Sequence, residues 1–458
     1  MIYKLRINIL ITLIQLYMKK IFFSVVLILI PLISFGQTAE DFINQASDKD
    51  EKKDYNGAIL DYNKAIELEP ENSSFFVKRG NCKWLLRDHR NAVLDFDKAI
   101  KLNPNNAEAF FLRGRTKANF KGLEDFEGAI LDFTKVLEID PKHEDACFYR
   151  GLLKSFSEDY KGAIVDFARV IEINPKRDDA YFRKGYAKFK LKDYKGAILD
   201  YTSAIEINIK NSEAYCYRGV AKNALEDYNG AVLDFEMTLE ISPEYVNAYF
   251  NRGLSKYSLE DYSGAILDFN KAIEIYPEYY EAYYYRGKVK DYNKDYIEAI
   301  KDYSKAIDIE FENENIYIDR GNAKMELKDY RGAILDFNSA LEINPNTEMV
   351  YLFRGYAKYN LQDYRGAIID YTKDIANSPS YGNYFQRGSA KSALKDYQGA
   401  VLDFNKALNL NPSDIGSYVE RGLAKIKLNQ KNSGCLDFSK AGELGNEYAY
   451  ELIKKYCN

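Results

Sequence analysis

The stretch Val246–Tyr279, VNAYFNRGLSKYSLEDYSGAILDFNKAIEIYPEY, decides the fold. From Val246 to Leu259 there is no proline and one glycine, and the apolar residues fall at helical spacing. Glu260-Asp261 interrupts that pattern, and Asp261 is placed to N-cap a second helix by accepting from its free amides. Tyr262 to Ile275 is that helix. Its residues Ala265, Ile266, Phe269, Ala272 and Ile273 step by three and four and mark one buried stripe. Pro277 closes the stretch because it cannot continue a helix.

Working outward, the same text returns along the chain. Arg-Gly recurs at Gly80, Gly114, Gly151, Gly219, Gly253, Gly287, Gly321, Gly355, Gly388 and Gly422, and Lys184-Gly185 fills the one gap. The step is 34 residues, except 37 across the Lys121–Asp125 region and 33 between Gly355 and Gly388. Of ten prolines, Pro31 lies near the N-terminus, and the other nine, from Pro70 to Pro412, share the position of Pro277. A fixed step of this length is the signature of a helical repeat array. The units read 39–72, 73–106, 107–143, 144–177, 178–211, 212–245, 246–279, 280–313, 314–347, 348–380, 381–414 and 415–445, so twelve tandem units fill 37–445. Residues 446–458 read as one closing amphipathic helix. The polar stretch Ala46–Lys53 predicts that the first unit is a frayed cap.

In unit seven Tyr249, Gly253, Ala265, Phe269, Ala272 and Pro277 resemble the tetratricopeptide repeat pattern of an aromatic, a glycine, an alanine, a second aromatic, an alanine and a proline. The resemblance spans nearly all of the chain after residue 36. It implies an all-α solenoid, a right-handed superhelix of helix-turn-helix units whose inner surface is lined mainly by one face of the first helix, helix A. It implies a binding scaffold rather than an enzyme. Two departures are systematic: the family's Leu before the Gly is Arg here, and its following Tyr is Lys. Pro is replaced by Ile209 and Phe311 in two loops, and the small Ala by Gly434 in the last unit.

Some residues are uniform across the units. The aromatic of the second helix, helix B, is present in all twelve, from Tyr62 to Phe438, and is preceded each time by Asp. Arg252 and Lys256 share one face of helix A, and Asp268 adjoins Phe269. These residues predict a ladder of ion pairs along the array, each contributing about 0–1 kcal/mol if exposed. Uniform residues serve the repeat, whereas residues that read a partner should differ from unit to unit. The second face of helix A does differ, and it is rich in Tyr and Phe. Its candidate partner-binding residues are Phe182, Tyr186 and Phe189 in unit five, and Phe250 and Tyr257 in unit seven. Tyr284 and Tyr292 follow in unit eight, and Tyr356 and Tyr359 in unit ten. Such rings supply large contact area at little entropic cost. The expected partner is a protein or an extended peptide. The alternatives are carbohydrate or cell-wall binding, since Tyr faces also stack on sugars, and a structural assembly part.

The chemistry of other classes is missing. His89 and His143 are the two histidines, and neither sits in a metal-ligand or catalytic spacing. Each glycine of the 34-residue series stands alone in its helix, so no phosphate-binding loop arises. No cofactor, metal or catalytic activity is expected. Met18-Lys19-Lys20, the apolar run Ile21–Ile33 and Ser34-Phe35-Gly36 before Gln37 form a secretory signal pattern. Residues 1–36 are expected to be a signal segment with its true start at Met18, and the mature protein to be exported; the alternative is an uncleaved membrane anchor. The formal charge of −5 becomes −9 after Gly36, with 60 basic against 69 acidic residues. That disfavours nucleic acid and anionic membrane as partners. The five cysteines, Cys82, Cys147, Cys216, Cys435 and Cys457, are widely spaced and define no disulfide framework, although an exported chain could close one bridge.

Overall fold

The computed structural model describes residues 7, 10–21, 37–119, 125–347 and 349–457. The apolar run from residue 22 onward, the cut after Gly36 and the insertion at 121–124 lie outside the described residues. Residues 10–21 are helical. Among the described residues no strand occurs, and no helix is long and apolar enough to cross a membrane.

From Ala39 to Glu443 the chain runs as successive helix pairs. Unit one pairs Ala39–Glu51 with Tyr55–Leu68, unit five Asp178–Lys190 with Tyr194–Ile207, and unit seven Val246–Ser258 with Tyr262–Ile275. Unit eight pairs Tyr280–Tyr292 with Tyr296–Ile309, unit nine Glu314–Glu326 with Tyr330–Ile343, and unit ten Val350–Asn360 with Tyr364–Asn377. Unit twelve pairs Ile415–Lys427 with Lys431–Glu443, and Glu447–Tyr456 closes the chain. The chain packs as two compact parts, Met1–Ala214 and Tyr215–Asn458.

The turn inside each unit whose turn is described, all but unit three, has a local cause. Helix A ends on a non-glycine residue in the left-handed region, such as Glu260 (φ 61°) or Lys294 (φ 63°). The next residue is the cap: Asp261 accepts from the Gly264 N–H at 3.0 Å. In the close approach of A to B, a Cβ on Gly253 would sit 2.7 Å from the Phe269 ring. A larger side chain there costs roughly 1–3 kcal/mol by overpacking. Phe269 and its eleven counterparts are the largest fully buried side chains. Around Phe269, Ala265 and Ala272 of helix B pack with Phe250 of helix A and with Ala282 and Val289 of the next unit's helix A. Each unit is thus completed by its neighbour.

One expectation at the ends needs revision, and one left open is filled in. Unit one is not frayed. Thr38 and Asp41 form a capping box, Ala46 is fully buried, and the helix continues to Glu51. At the other end a Cys435–Cys457 disulfide, with Cα atoms 5.8 Å apart, ties helix B of unit twelve to the closing helix. Ala449 and Leu452 of that helix are buried against Phe438.

Candidate functional site

Charge fixes helix A on helix B and so decides which of its faces stays open. Arg252 donates through Nε and Nη2 to the two Asp268 oxygens at 3.0 and 2.6 Å, and Lys256 Nζ lies 2.8 Å from Oδ2. Asp268 is 3% exposed. Burial opposes the Arg252 charge, but Asp268 more than offsets it and holds the guanidinium above its ordinary pKa. The same guanidinium lies over the Tyr249 ring at 5.6 Å. Arg79 and Lys83 hold Asp95 in the same way, as Arg286 and Lys290 hold Asp302, and Arg421 and Lys425 hold Asp437. In unit five Lys184 and Lys188 share Asp200.

The third arm of the arginine crosses to the preceding unit. Arg354 Nη1 donates to Asn338 at 2.7 Å, and Arg421 Nη1 to Asn405 at 2.6 Å. The expected ladder is therefore present, but its energetic class is different. The aspartate is buried, and removing a partner from a buried pair costs far more than breaking a surface one. The Arg before the repeat Gly and the Lys three residues after it thus orient helix A on helix B.

The nine candidate aromatics separate by depth. Phe182 and Phe250 belong to the core, 5% and 9% exposed. Their rings lie 5.7 Å from Tyr201 and 5.9 Å from Phe269 of helix B. That position abuts helix B, so these two do not line an open face. Tyr186 and Phe189 are half-buried, with Lys190 over Tyr186 and Tyr194 edge-on to Phe189. Tyr359 is half-buried against Tyr364, 5.3 Å away, and burial raises its phenol pKa. Tyr292 and Tyr356 are open, 62% and 43% exposed.

Units seven and eight gather four of the nine. Tyr257 lies 5.8 Å from Tyr262 and 6.5 Å from Tyr285. Tyr292 packs on Tyr262 at 4.6 Å, and Tyr284 on Tyr285 at 5.3 Å. Phe250 supports Tyr285 from the core at 5.8 Å. The Tyr284 hydroxyl donates to Asp319 of unit nine at 2.9 Å. Burial raises the pKa of both groups. Tyr356 borders an open recess of about 790 Å³ together with Asp291, Tyr296, Met325 and Glu326.

Sequence reading missed Tyr285 and Asp319. They occupy one repeat position, immediately after the one represented by Phe250, and that row runs Asn251, Tyr285, Asp319, Phe353. Its unit-to-unit variation was the available signal. His143 accepts from the Ala146 N–H at 3.2 Å and caps a helix, with its ring 4.7 Å from Phe111. Among the described residues no group of three or more metal-ligand side chains is assembled.

Helix pairs in series, held by buried triads and leaving a variable face on helix A, define an all-α helical-repeat protein of the solenoid class. Family models for the tetratricopeptide repeat match residues 246–279 and also 49–72, 73–106, 178–211, 280–313, 314–347 and 381–414. The chain carries tetratricopeptide repeats. Among solved structures it is similar to MamA, with 26% identity over 33% of this chain and 89% of that one and a TM-score of 0.33. It is also similar to YrrB, described as a TPR protein with an unusual peptide-binding site (24% identity, 41% and 95% coverage, TM-score 0.37). For yeast Tom70 the values are 18%, 90% and 93%, and 0.35. The comparison with curated proteins found no match.

Proposed function

We propose that this chain is a non-catalytic scaffold that binds a protein or an extended peptide along the open face of its A helices, outside the cytoplasm. The observation that carries the reading is the division of labour on helix A. One set of side chains is spent on the triads and the core in units two to twelve. A different, variable set of Tyr and carboxylate groups remains half-buried or open beside it, as at Tyr257, Tyr292 and Tyr356. Tyrosine held by its neighbours suits recognition, because little rotamer freedom remains to be lost. Export is supported by the signal pattern before Gln37 and by the Cys435–Cys457 bridge, since disulfides persist in oxidising compartments.

The test is affinity capture on the purified chain, followed by titration of the captured partner. Alanine at Tyr257, Tyr292, Tyr356 and Tyr359 together should weaken that partner by roughly tenfold or more, with unchanged helical circular dichroism. Full binding by this variant sinks the proposal. Binding to a glycan array that depends on the same tyrosines would replace the peptide by a sugar.

A further inference from the structure

Most of the buried carboxylates in this protein are matched with cations. Asp268 and its counterparts each hold two. Three carboxylates on the helix A face of units eight and nine are not treated this way. Asp291 and Glu326 line the recess, and Asp319 acts on Asp291 from the same face; Asp291 and Asp319 are partly exposed, Glu326 is exposed, and none has a Lys or Arg nitrogen within 4 Å among the described ion pairs. Asp319 has a phenol for a partner, the Tyr284 hydroxyl at 2.9 Å. A phenol stabilises a carboxylate far less than a cation does. Two lysines are near. Lys294 borders the recess, and Lys288 lies over the Tyr284 and Tyr285 rings at 5.4 and 5.9 Å. Lys288 is informative in itself, because it shows that these rings already receive an ammonium group on their faces.

We propose that this recess receives a lysine or arginine side chain of the bound segment, so that the partner is cationic where it crosses units eight to ten. The inference rests on the helix A reading above and adds the chemistry of the ligand. Asp291 and Asp319 are partly desolvated and have already lost part of their hydration, so an incoming ammonium or guanidinium meets them without that cost being met again. Tyr296 and Tyr356 at the border flank the alkyl stem of such a side chain. Burial, and for Asp291 the neighbouring Asp319 and Glu326 as well, raises the carboxyl pKa of Asp291 and Asp319, and the opposing pull of Lys288 on both, with the Tyr284 hydroxyl on Asp319, does not offset it. A bound cation would reverse that direction.

The experiment uses fluorescein-labelled peptides of repeated Lys-Gly-Gly, Gln-Gly-Gly and Glu-Gly-Gly, read by anisotropy at about 0.15 M salt, where screening acts beyond about 8 Å. The lysine peptide should bind and the other two should not. The variant Asp291→Asn/Asp319→Asn/Glu326→Gln should weaken it at least tenfold. The control Glu240→Gln/Glu278→Gln/Glu342→Gln removes the same charge from exposed sites elsewhere and should leave binding unchanged. No binding of the lysine peptide, or equal loss in both variants, overturns the proposal. If the captured partner still binds the carboxylate variant but not the tyrosine variant, the helix A reading stands and the cationic ligand alone is refuted.

Discussion

Asp268 shows how much one residue carries. It pairs with two cations, presses its own helix against helix A and, through Arg252, fixes the guanidinium over Tyr249. Replacing it with alanine leaves Arg252 and Lys256 half-buried without a counter-charge. The expected loss is about 3 kcal/mol, at the lower end for a broken buried pair because both cations can turn toward solvent. In a chain whose units contact only their neighbours, that loss should be local. Hydrogen exchange should therefore accelerate in units six to eight of Asp268→Ala and stay unchanged in unit eleven. A uniform acceleration would mean that the array unfolds as one block.

At the scale of the helix pair, the junction of units ten and eleven departs from the others. The step there is one residue short. Where unit seven buries Ala272 against Ala282, this junction buries Asp374 and Asn383, and the Asn383 amide donates to Asp374 at 2.5 Å and to the Ser378 carbonyl at 3.0 Å. Burial raises the Asp374 pKa. A carboxyl whose folded pKa lies above its unfolded value stabilises most below the unfolded pKa, and that contribution is lost as pH rises through the folded pKa. Asp374→Asn should therefore raise Tm at pH 7, with the gain shrinking toward zero as pH falls below the carboxylate range. A gain that persists undiminished at low pH would assign the effect to packing instead.

Legibility from sequence also divides at this scale. The helix pairs were readable because Gly253, Asp268, Phe269 and Pro277 recur with one spacing, and each has a single steric or polar job. The open face was readable only in part. Spacing of three and four marks a sector of a helix, but it does not say which edge of the sector touches helix B. Phe182 and Phe250 fell on the wrong edge, and Tyr285 and Asp319 were passed over on the right one. Depth also depends on the neighbouring unit, which a single-helix pattern does not contain. The Cys435–Cys457 pairing was out of reach for the same reason, since it follows from where the closing helix docks.

For the whole molecule, an array of repeats has two unsatisfied ends. The first is handled by the Thr38–Asp41 capping box and the buried Ala46. The last is covered by Glu447–Tyr456, a helix too short to hold itself in water, and the disulfide pins it across a separation of 22 residues. By chain entropy that closure contributes about 3 kcal/mol. Reduction with dithiothreitol should raise hydrogen exchange in Glu447–Tyr456 and helix B of unit twelve while unit seven keeps its protection. Unchanged exchange at the C-terminus would show that packing of Leu452 suffices alone.

The polar pair at the junction of units ten and eleven has one more consequence. Units this alike can mispair during folding, because a helix B finds nearly the same partner surface one unit away. Asp374 finds an amide only opposite Asn383. Docked one unit out of place it would meet Val350 or Ser417, neither of which carries an amide, and the carboxylate would lose its Asn383 partner in the core. The pair acts as an address mark in an otherwise repetitive text and fixes which units are neighbours.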